Sequence, residues 1–198
     1  GGIPFGIGSA GTKSFWVEIK VTSTSATATP GTPGTPVTPA TPIAGTIYDF
    51  TANVCAATWF SGAGQQPCPG SEGNANGFVL IVNPSKLETG TSDNRTGLIT
   101  VPQNITNGYI QGIYPSYKVK SGDKFRSIIN CEYGATACYV VFKLEYVVAG
   151  SSTVQTFWAF VEKYENPGQY YSADIDLTAL VGQDVKFVLS VYATGSPV

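Results

Sequence analysis

The clearest alternation of apolar and polar residues near the start of the chain lies between Lys13 and Thr22. Its apolar positions are Phe15, Val17, Ile19 and Val21, and its polar-face positions are Trp16, Glu18, Lys20 and Thr22. This period of two predicts a β-strand with one buried and one solvated face. A Gly-rich tail precedes it and a Thr/Pro tract follows it, so no adjacent segment can form a hairpin with it. Because unpaired backbone groups are costly, we expect this detached strand to pair with a distant sheet.

Short alternating segments separated by Gly, Pro and Asn fill the chain from Thr46 onward. The predicted strands cover 46–54, 77–83, 108–114, 123–130, 138–148, 153–164, 170–177 and 184–193. In the strand 138–148 the alternation places Lys143 and Glu145 on the solvated face, and in 170–177 it does the same for Asp174 and Asp176. Many short strands, with no helical period beyond a turn at 178–181, predict an all-β fold, an antiparallel β-sandwich of the jelly-roll or immunoglobulin-like kind.

A Thr/Pro tract separates the detached strand from the other strands. Proline recurs at every third residue from Pro30 to Pro42, and threonine precedes each one. Polyproline II has three residues per turn, so this repeat predicts a semi-rigid spacer, and 23–45 would reach roughly 70 Å when extended. The predicted organisation is an N-terminal tail and strand (1–22), a linker (23–45) and a β-sandwich domain (46–198).

Charge and cysteine content indicate the compartment. The net charge of −2 includes no basic run, which gives no reason to expect nucleic acid as a partner. No apolar run reaches the 18 or so residues of a membrane span, and the chain contains no methionine, which we interpret as removal of a secretory signal, although a trimmed chain would look the same. The pairs Cys55 with Cys68 and Cys131 with Cys138 flank short loops and favour disulfides in an oxidising, extracellular compartment. A four-cysteine zinc site is the alternative, but neither pair has its short spacing.

Candidate glycosylation positions lie in the linker and in two turn-rich segments. The candidates are Thr29, Thr32, Thr35, Thr38, Thr41, Asn94 and Asn104. The threonines line one edge of the predicted spacer, as in other Thr/Pro stalks, and the two asparagines stand in Asn-X-Thr sequons. Chance is the alternative for the sequons, because Asn and Thr are common in this chain.

The sequence gives little support to catalysis. The chain contains no histidine, which removes His-dependent triads and the usual zinc sites, and no Gly-rich phosphate loop follows a strand. Asp174 and Asp176 are interpreted as a solvated face rather than a glycosidase pair or a calcium site. We therefore expect no enzyme activity, no catalytic residue, no cofactor and no metal.

Several segments resemble a β-sandwich domain that recurs in secreted proteins of filamentous bacteria. They are 122–134, 138–142, 174–177 and 185–189, and the resemblance covers roughly 45–196. Such domains follow Thr/Pro linkers and contain no catalytic motif to transfer. In those relatives one more strand, with a Trp-Val core, follows the turn that resembles 193–196. This chain stops at Val198, and 13–17 resembles the missing strand, which implies a permuted domain.

A sandwich without its last strand exposes a groove that a detached strand can fill. Burial of four apolar side chains, at about 1.5–3 kcal/mol each, would contribute roughly 6–12 kcal/mol before ordering costs. If the strand enters the next copy, the contact is head-to-tail and propagates as a filament, an arrangement similar to that of donor-strand-exchange pili. The sequence thus predicts an extracellular structural subunit whose partner is itself, with surface glycans as a second candidate partner. Its predicted interface consists of Phe15, Trp16, Val17, Ile19 and Val21.

Two alternatives stay open at this point. The strand could close on its own sheet, since a linker of this length gives an effective concentration near the millimolar range. The chain would then be a monomeric secreted carbohydrate-binding or adhesion module. Its candidate sugar-stacking aromatics are Trp59, Trp158, Tyr164 and Tyr170. Against this, Trp158 lies in a strand with apolar residues on both faces, which is more typical of a core or an interface.

Overall fold

The computed structural model describes residues 15–17, 20–22 and 46–195, and for 15–17, 20–22, 46 and 47 it describes the backbone alone. Within these residues the strands are β1 (Phe15–Val17), β2 (Lys20–Thr22), β3 (Thr46–Asp49), β4 (Thr58–Ser61), β5 (Gly64–Gln66), β6 (Phe78–Val82), β7 (Ser85–Lys86), β8 (Ser92–Asp93), β9 (Gly97–Val101), β10 (Tyr109–Lys118), β11 (Lys124–Asn130), β12 (Tyr139–Val148), β13 (Gln155–Lys163), β14 (Tyr171–Asp176) and β15 (Asp184–Ala193). Two short 3-10 turns, Val54–Ala56 and Thr178–Leu180, complete the described elements, which include no α-helix. The all-β prediction is confirmed.

Sheet B contains six of the described strands, in the order β13-β12-β15-β10-β4-β5. Its longest ladder joins β12 to β15, from the pair Val140 and Ala193 to the pair Val148 and Val185. β12 and β13, and likewise β4 and β5, are also neighbours along the chain. Sheet B is therefore built from one stretch, 58–193.

Sheet A contains β3, β2, β11, β1, β9 and β6 in that order, with β14 on the other side of β11. β1 and β2 both run antiparallel to β11, with Trp16 opposite Asn130 and Thr22 opposite Lys124. One register relates both short strands to β11, so they lie along it as two parts of one path. On their far side, β1 pairs with β9 and β2 pairs with β3. We refer to β1 and β2 together as the N-terminal strand.

The hydrophobic core lies between the two sheets and is centred on aromatic side chains. Trp59 is 1% exposed and its Nε1 donates a hydrogen bond to the Val54 carbonyl at 2.8 Å. Gly112 stands opposite Trp59 on β10, where an added Cβ would come within 2.7 Å of the indole ring. Phe50 makes edge contacts with Tyr114 and Phe187. A residue without a side chain at Gly112 thus allows the largest core side chain to lie flat against the sheet.

The predicted strand positions agree with the structure in most of the domain. The prediction 46–54 was wrong beyond Asp49, because Asp49 Oδ1 accepts the backbone N–H groups of Thr51 and Ala52 and turns the chain. The sequence analysis missed β4, β5, β7, β8 and β9. All five residues of β9 are buried, so its sequence lacks the alternation on which the prediction depended.

The predicted solvated positions were right for β14 and partly wrong for β12. Asp174 and Asp176 are exposed while Ala173 and Leu177 are buried. Glu145, in contrast, is only 6% exposed. Ser190 Oγ donates a hydrogen bond to Glu145 Oε2 at 2.6 Å, and Thr156 Oγ1 donates one to Oε1 at 3.2 Å. These hydroxyl donors from the two neighbouring strands let a carboxylate lie flat on the sheet.

Both predicted disulfides are confirmed, Cys55 with Cys68 and Cys131 with Cys138. The zinc alternative is excluded because all four cysteines are bonded. Asn94 and Asn104 are exposed, whereas Thr29, Thr32, Thr35, Thr38 and Thr41 lie outside the described residues. In the part of the chain that the structure describes, no helix is long and apolar enough to span a membrane.

Candidate functional site

The N-terminal strand occupies a slot in the middle of sheet A. One wall of this strand slot is the edge of β11, and the other wall is β9 beside β1 and β3 beside β2. The opposite edge of β11 is paired with β14 along its length. Among the described strands, only β1 and β2 pair with the slot edge of β11. A single segment therefore connects β11 to the rest of sheet A.

The residues that face β1 across its two ladders are buried. Thr100 stands opposite Phe15, and Ile129 opposite Val17. Between the sheets lies an apolar cavity of about 20 Å³. From sheet A it is lined by Leu98, Thr100, Phe125, Ser127 and Ile129, which belong to the two strands on either side of β1. The slot is thus the part of sheet A that closes over the core.

Two polar atoms lie unpaired at the β1 end of the slot. Thr100 Oγ1 and Asn130 Oδ1 are buried and have no hydrogen-bond partner among the residues that the structure describes. A buried polar atom without a partner costs about 1–3 kcal/mol. The β1 end of the slot therefore contains two buried side-chain oxygens whose hydrogen-bonding capacity is unused by the described residues.

The linker that joins β2 to β3, at the other end of the slot, is far longer than a hairpin connection requires. Thr22 and Thr46 stand opposite each other in the ladder between β2 and β3. Antiparallel neighbours are usually joined by two to five residues. Here the connection contains the 23 residues 23–45, with a proline at every third position over much of that length. A hairpin turn alone does not account for such a segment.

A second cluster, of three carboxyl side chains, joins the two sheets near the β1 end of the slot. Glu88 is 1% exposed, and its carboxylate accepts backbone N–H groups from Cys131 at 3.2 Å, Glu165 at 2.7 Å and Gln169 at 3.2 Å. Burial raises the pKa of Glu88, while these three donors lower it. One carboxylate thus holds the β7–β8 hairpin, the segment after β11 and the loop after β13 together.

Glu162 is the second member of this carboxyl cluster and is also 1% exposed. Its Oε1 has no hydrogen-bond partner. Burial, followed by the charges of Glu88 and Glu165, raises the pKa of Glu162 to about 8. Glu165 Oε1 in turn accepts the hydroxyl of Tyr171 at 2.7 Å. At neutral pH the buried Glu162 carboxyl is therefore mostly protonated.

A metal ion would find few ligands in this carboxyl cluster. Oxygen atoms of Glu88 and Glu162 and the sulfur of Cys131 lie within 4.8 Å of one another. The sulfur belongs to a disulfide, so it is not a thiolate ligand, and calcium takes six to eight oxygen ligands. Sequence analysis missed this cluster because Glu88 and Glu162 are far apart along the chain and neither stands in a recognisable motif.

The predicted sugar-stacking aromatics do not form a platform. Trp59 is buried in the core, so that part of the prediction was wrong. Trp158 stacks on Phe160 with ring centroids 6.0 Å apart, and both rings pack partly buried against the core. Tyr164 also packs against the core, and its hydroxyl accepts the backbone N–H of Gly134. Of the four candidates only Tyr170, at 49% exposure, is an exposed ring.

Four of the five predicted interface residues lie in the slot by their backbone. Phe15, Trp16 and Val17 form β1 and Val21 belongs to β2, while Ile19 lies outside the described residues. The expected pairing of this segment with a distant sheet is therefore observed at the level of the backbone.

Comparison of the chain with protein-family models, with curated proteins and with solved structures gave no match.

Proposed function

We propose that this chain is an extracellular structural subunit that assembles head-to-tail into filaments by inserting its N-terminal strand into the slot of the next copy. The supporting observation is the central position of β1 and β2 in sheet A, at the far end of a 23-residue linker. In this structure of one copy, the strand completes its own sheet. We call this arrangement the closed form. In the proposed filament, the same slot would hold the N-terminal strand of another copy.

The energetic argument is that the same pairs form whichever copy supplies the strand. Each part of the N-terminal strand is paired on both sides, with β11 and with β9 or β3. The choice between the closed and the assembled form therefore depends on the linker, because the slot contacts are equal in both. Exchange between copies is heterologous, so the contact propagates instead of closing as a symmetric dimer.

The extracellular location is supported by the two disulfides, which persist in oxidising compartments. The exposed Asn94 and Asn104 stay candidates for glycosylation in such a compartment. Filaments of this kind would serve adhesion or cohesion between cells. The partner that the proposal requires is a second copy of the same chain.

A proline in the N-terminal strand tests the proposal in the full-length chain. Proline removes a backbone donor and is poorly tolerated in a central strand. We expect Val17→Pro to abolish filaments, as seen by electron microscopy and light scattering. The matched control is Thr24→Pro, which adds a proline to the linker and leaves the ladder intact. Filaments of Val17→Pro equal to those of the wild type would refute strand insertion, as would a wild type that stays monomeric at every concentration.

Removal and return of the strand provides a second test of the same proposal. A chain lacking 1–22 should no longer assemble, and a synthetic peptide of residues 13–22 should bind it with one-to-one stoichiometry. A peptide of the same composition with its alternation scrambled is the control. A chain that stays fully stable without 1–22, and ignores the peptide, would favour a monomeric binding module.

A further inference from the structure

The linker begins and ends at the same pole of the domain. Thr22, the last residue of β2, stands opposite Thr46, the first residue of β3. Both residues lie at the end of β11 marked by Lys124, while β1 pairs with the other end of β11, at Ile129 and Asn130. The point where the strand enters the slot and the point where the linker leaves the domain are therefore neighbours.

This geometry fixes what the linker spans when the strand belongs to another copy. Thr22 of the donor copy then lies beside Thr46 of the acceptor, while the donor's own Thr46 begins its own β3. From these positions, and on the basis of the proposed function, we infer that residues 23–45 span one full repeat of the filament. The separation of equivalent Thr46 positions in successive copies is that repeat.

The length of the domain sets a lower bound on the repeat. β10, β12 and β15 each contain 10 residues, which corresponds to roughly 33 Å at about 3.3 Å per residue. Copies stacked end to end along the strands therefore need a linker that reaches roughly 33 Å, or about 11 residues of polyproline II. The 23 residues present reach roughly 70 Å, so the repeat falls between these two values.

Linker stiffness favours the next copy over the chain's own slot. A flexible Gly/Ser chain of 23 residues has a root-mean-square span of about 26 Å, which is shorter than the domain. A Thr-Pro-X repeat favours the stiffer polyproline II conformation, so bringing Thr22 and Thr46 side by side within one copy costs more than it would for a Gly/Ser chain. The repeat thus disfavours the fold-back that a closed monomer requires.

Two deletions in the full chain test whether the linker needs only to close a hairpin within one copy or must also reach the next copy. Removal of 30–35 leaves a 17-residue linker with a reach of about 53 Å, and we expect filaments to form as in the wild type. Removal of 26–43 leaves five residues, which suffice for a hairpin but reach only about 15 Å. We expect this variant to be a folded monomer whose β11 amides stay protected from hydrogen exchange, because its slot is filled by its own strand.

Replacement of 23–45 by 23 Gly/Ser residues tests the contribution of stiffness. We expect a several-fold higher monomer fraction than in the wild type at equal concentration, measured by light scattering. An unchanged fraction would overturn the role of stiffness. Filaments from the five-residue variant, or a measured repeat outside roughly 33–70 Å, would overturn the linker inference while leaving strand insertion intact. Loss of assembly in the wild type itself would instead refute the proposed function.

Discussion

The two sheets of this domain are completed in different ways. Sheet B takes all its strands from 58–193, and neighbours along the chain such as β12 and β13 pair directly. Sheet A has at its centre a strand from 15–17 and 20–22, more than 100 residues before its partner β11. Sheet B is therefore complete within one stretch of chain, whereas sheet A depends on a segment that arrives through a linker.

This difference indicates a division of roles within one fold. Sheet B is held together without the N-terminal strand, by the long ladders of β15 with β10 and β12, so it is expected to act as the scaffold. The slot edge of β11 can be satisfied only after the N-terminal strand arrives. The proposed exchange between copies would require the strand to leave sheet A while sheet B stays paired.

The largest expected effect is the loss of the central aromatic side chain of sheet B. Trp59→Ala removes a fully buried indole together with its hydrogen bond to Val54. Such truncations cost about 3–5 kcal/mol of the free energy of unfolding. Because Trp59 belongs to the scaffold sheet, we expect global destabilisation in chemical denaturation, with hydrogen-exchange protection falling in both sheets.

The control for this substitution is Tyr170→Ala, which removes an aromatic ring that is half exposed. Its expected change is within about 0.5 kcal/mol. A Trp59→Ala variant that lost protection in sheet A alone would contradict the scaffold role of sheet B.

The sequence analysis predicted the strands whose apolar and polar residues alternate, and it missed strands that lack this alternation. β14 alternates because one face meets the core, and β12 and β15 alternate in sequence although Glu145, Val188 and Ser190 on their other face are also buried. β9 is buried throughout, so its sequence carries no period, and β4 lies within what reads as a Gly- and Pro-rich loop. The sequence analysis could not predict which strands pair with each other, because strand register depends on contacts between segments distant in sequence. The sequence predicted a strand at 13–22 from its alternation, but not the pairing of β2 with β3, the next strand along the chain.

The strand slot and the carboxyl cluster also differ in how far the sequence could predict them. The strand slot left a local signature, an alternating segment without a neighbour. The carboxyl cluster left none, because its chemistry arises only when Glu88 and Glu162 come together between the sheets. Glu162 reads as a solvated acid at its position in β13, and only the folded structure shows that it is buried.

The carboxyl cluster yields an expected pH dependence of intermediate size. The pKa of Glu162 is about 8 in the folded chain, above its ordinary value near 4.3, so the folded chain keeps a proton that the unfolded chain releases. Stability should therefore fall as pH rises between these values and level off above about 8. Burial also raises the pKa of Glu88, which acts in the same direction. We expect Glu162→Gln to remove most of this fall, which is at most roughly 5 kcal/mol because each pH unit between the two pKa values contributes about 1.4 kcal/mol.

The measurement is the free energy of unfolding from pH 4 to 9 for the wild type and for Glu162→Gln. Asp184→Asn, at an exposed position, is the matched control and should leave the slope unchanged. Because Glu88, Glu165 and Tyr171 are the titratable groups around Glu162, the loss should map to the contacts between the sheets. A wild-type stability that rises through this pH range would contradict the raised pKa of Glu162.

The smallest expected effect concerns the edge of β11 that faces away from the slot. There Asp174 accepts Lys124 Nζ at 3.0 Å and Arg126 Nε at 3.2 Å, and its side chain is 50% exposed. Exposed ion pairs contribute about 0–1 kcal/mol and are screened by salt. We expect Asp174→Asn to cost about 0.5 kcal/mol at low ionic strength and nothing measurable in 1 M NaCl. A loss above about 1.5 kcal/mol that persists in salt would show that β14, and not the slot, holds β11 in place, because only a structural role of that edge would resist screening.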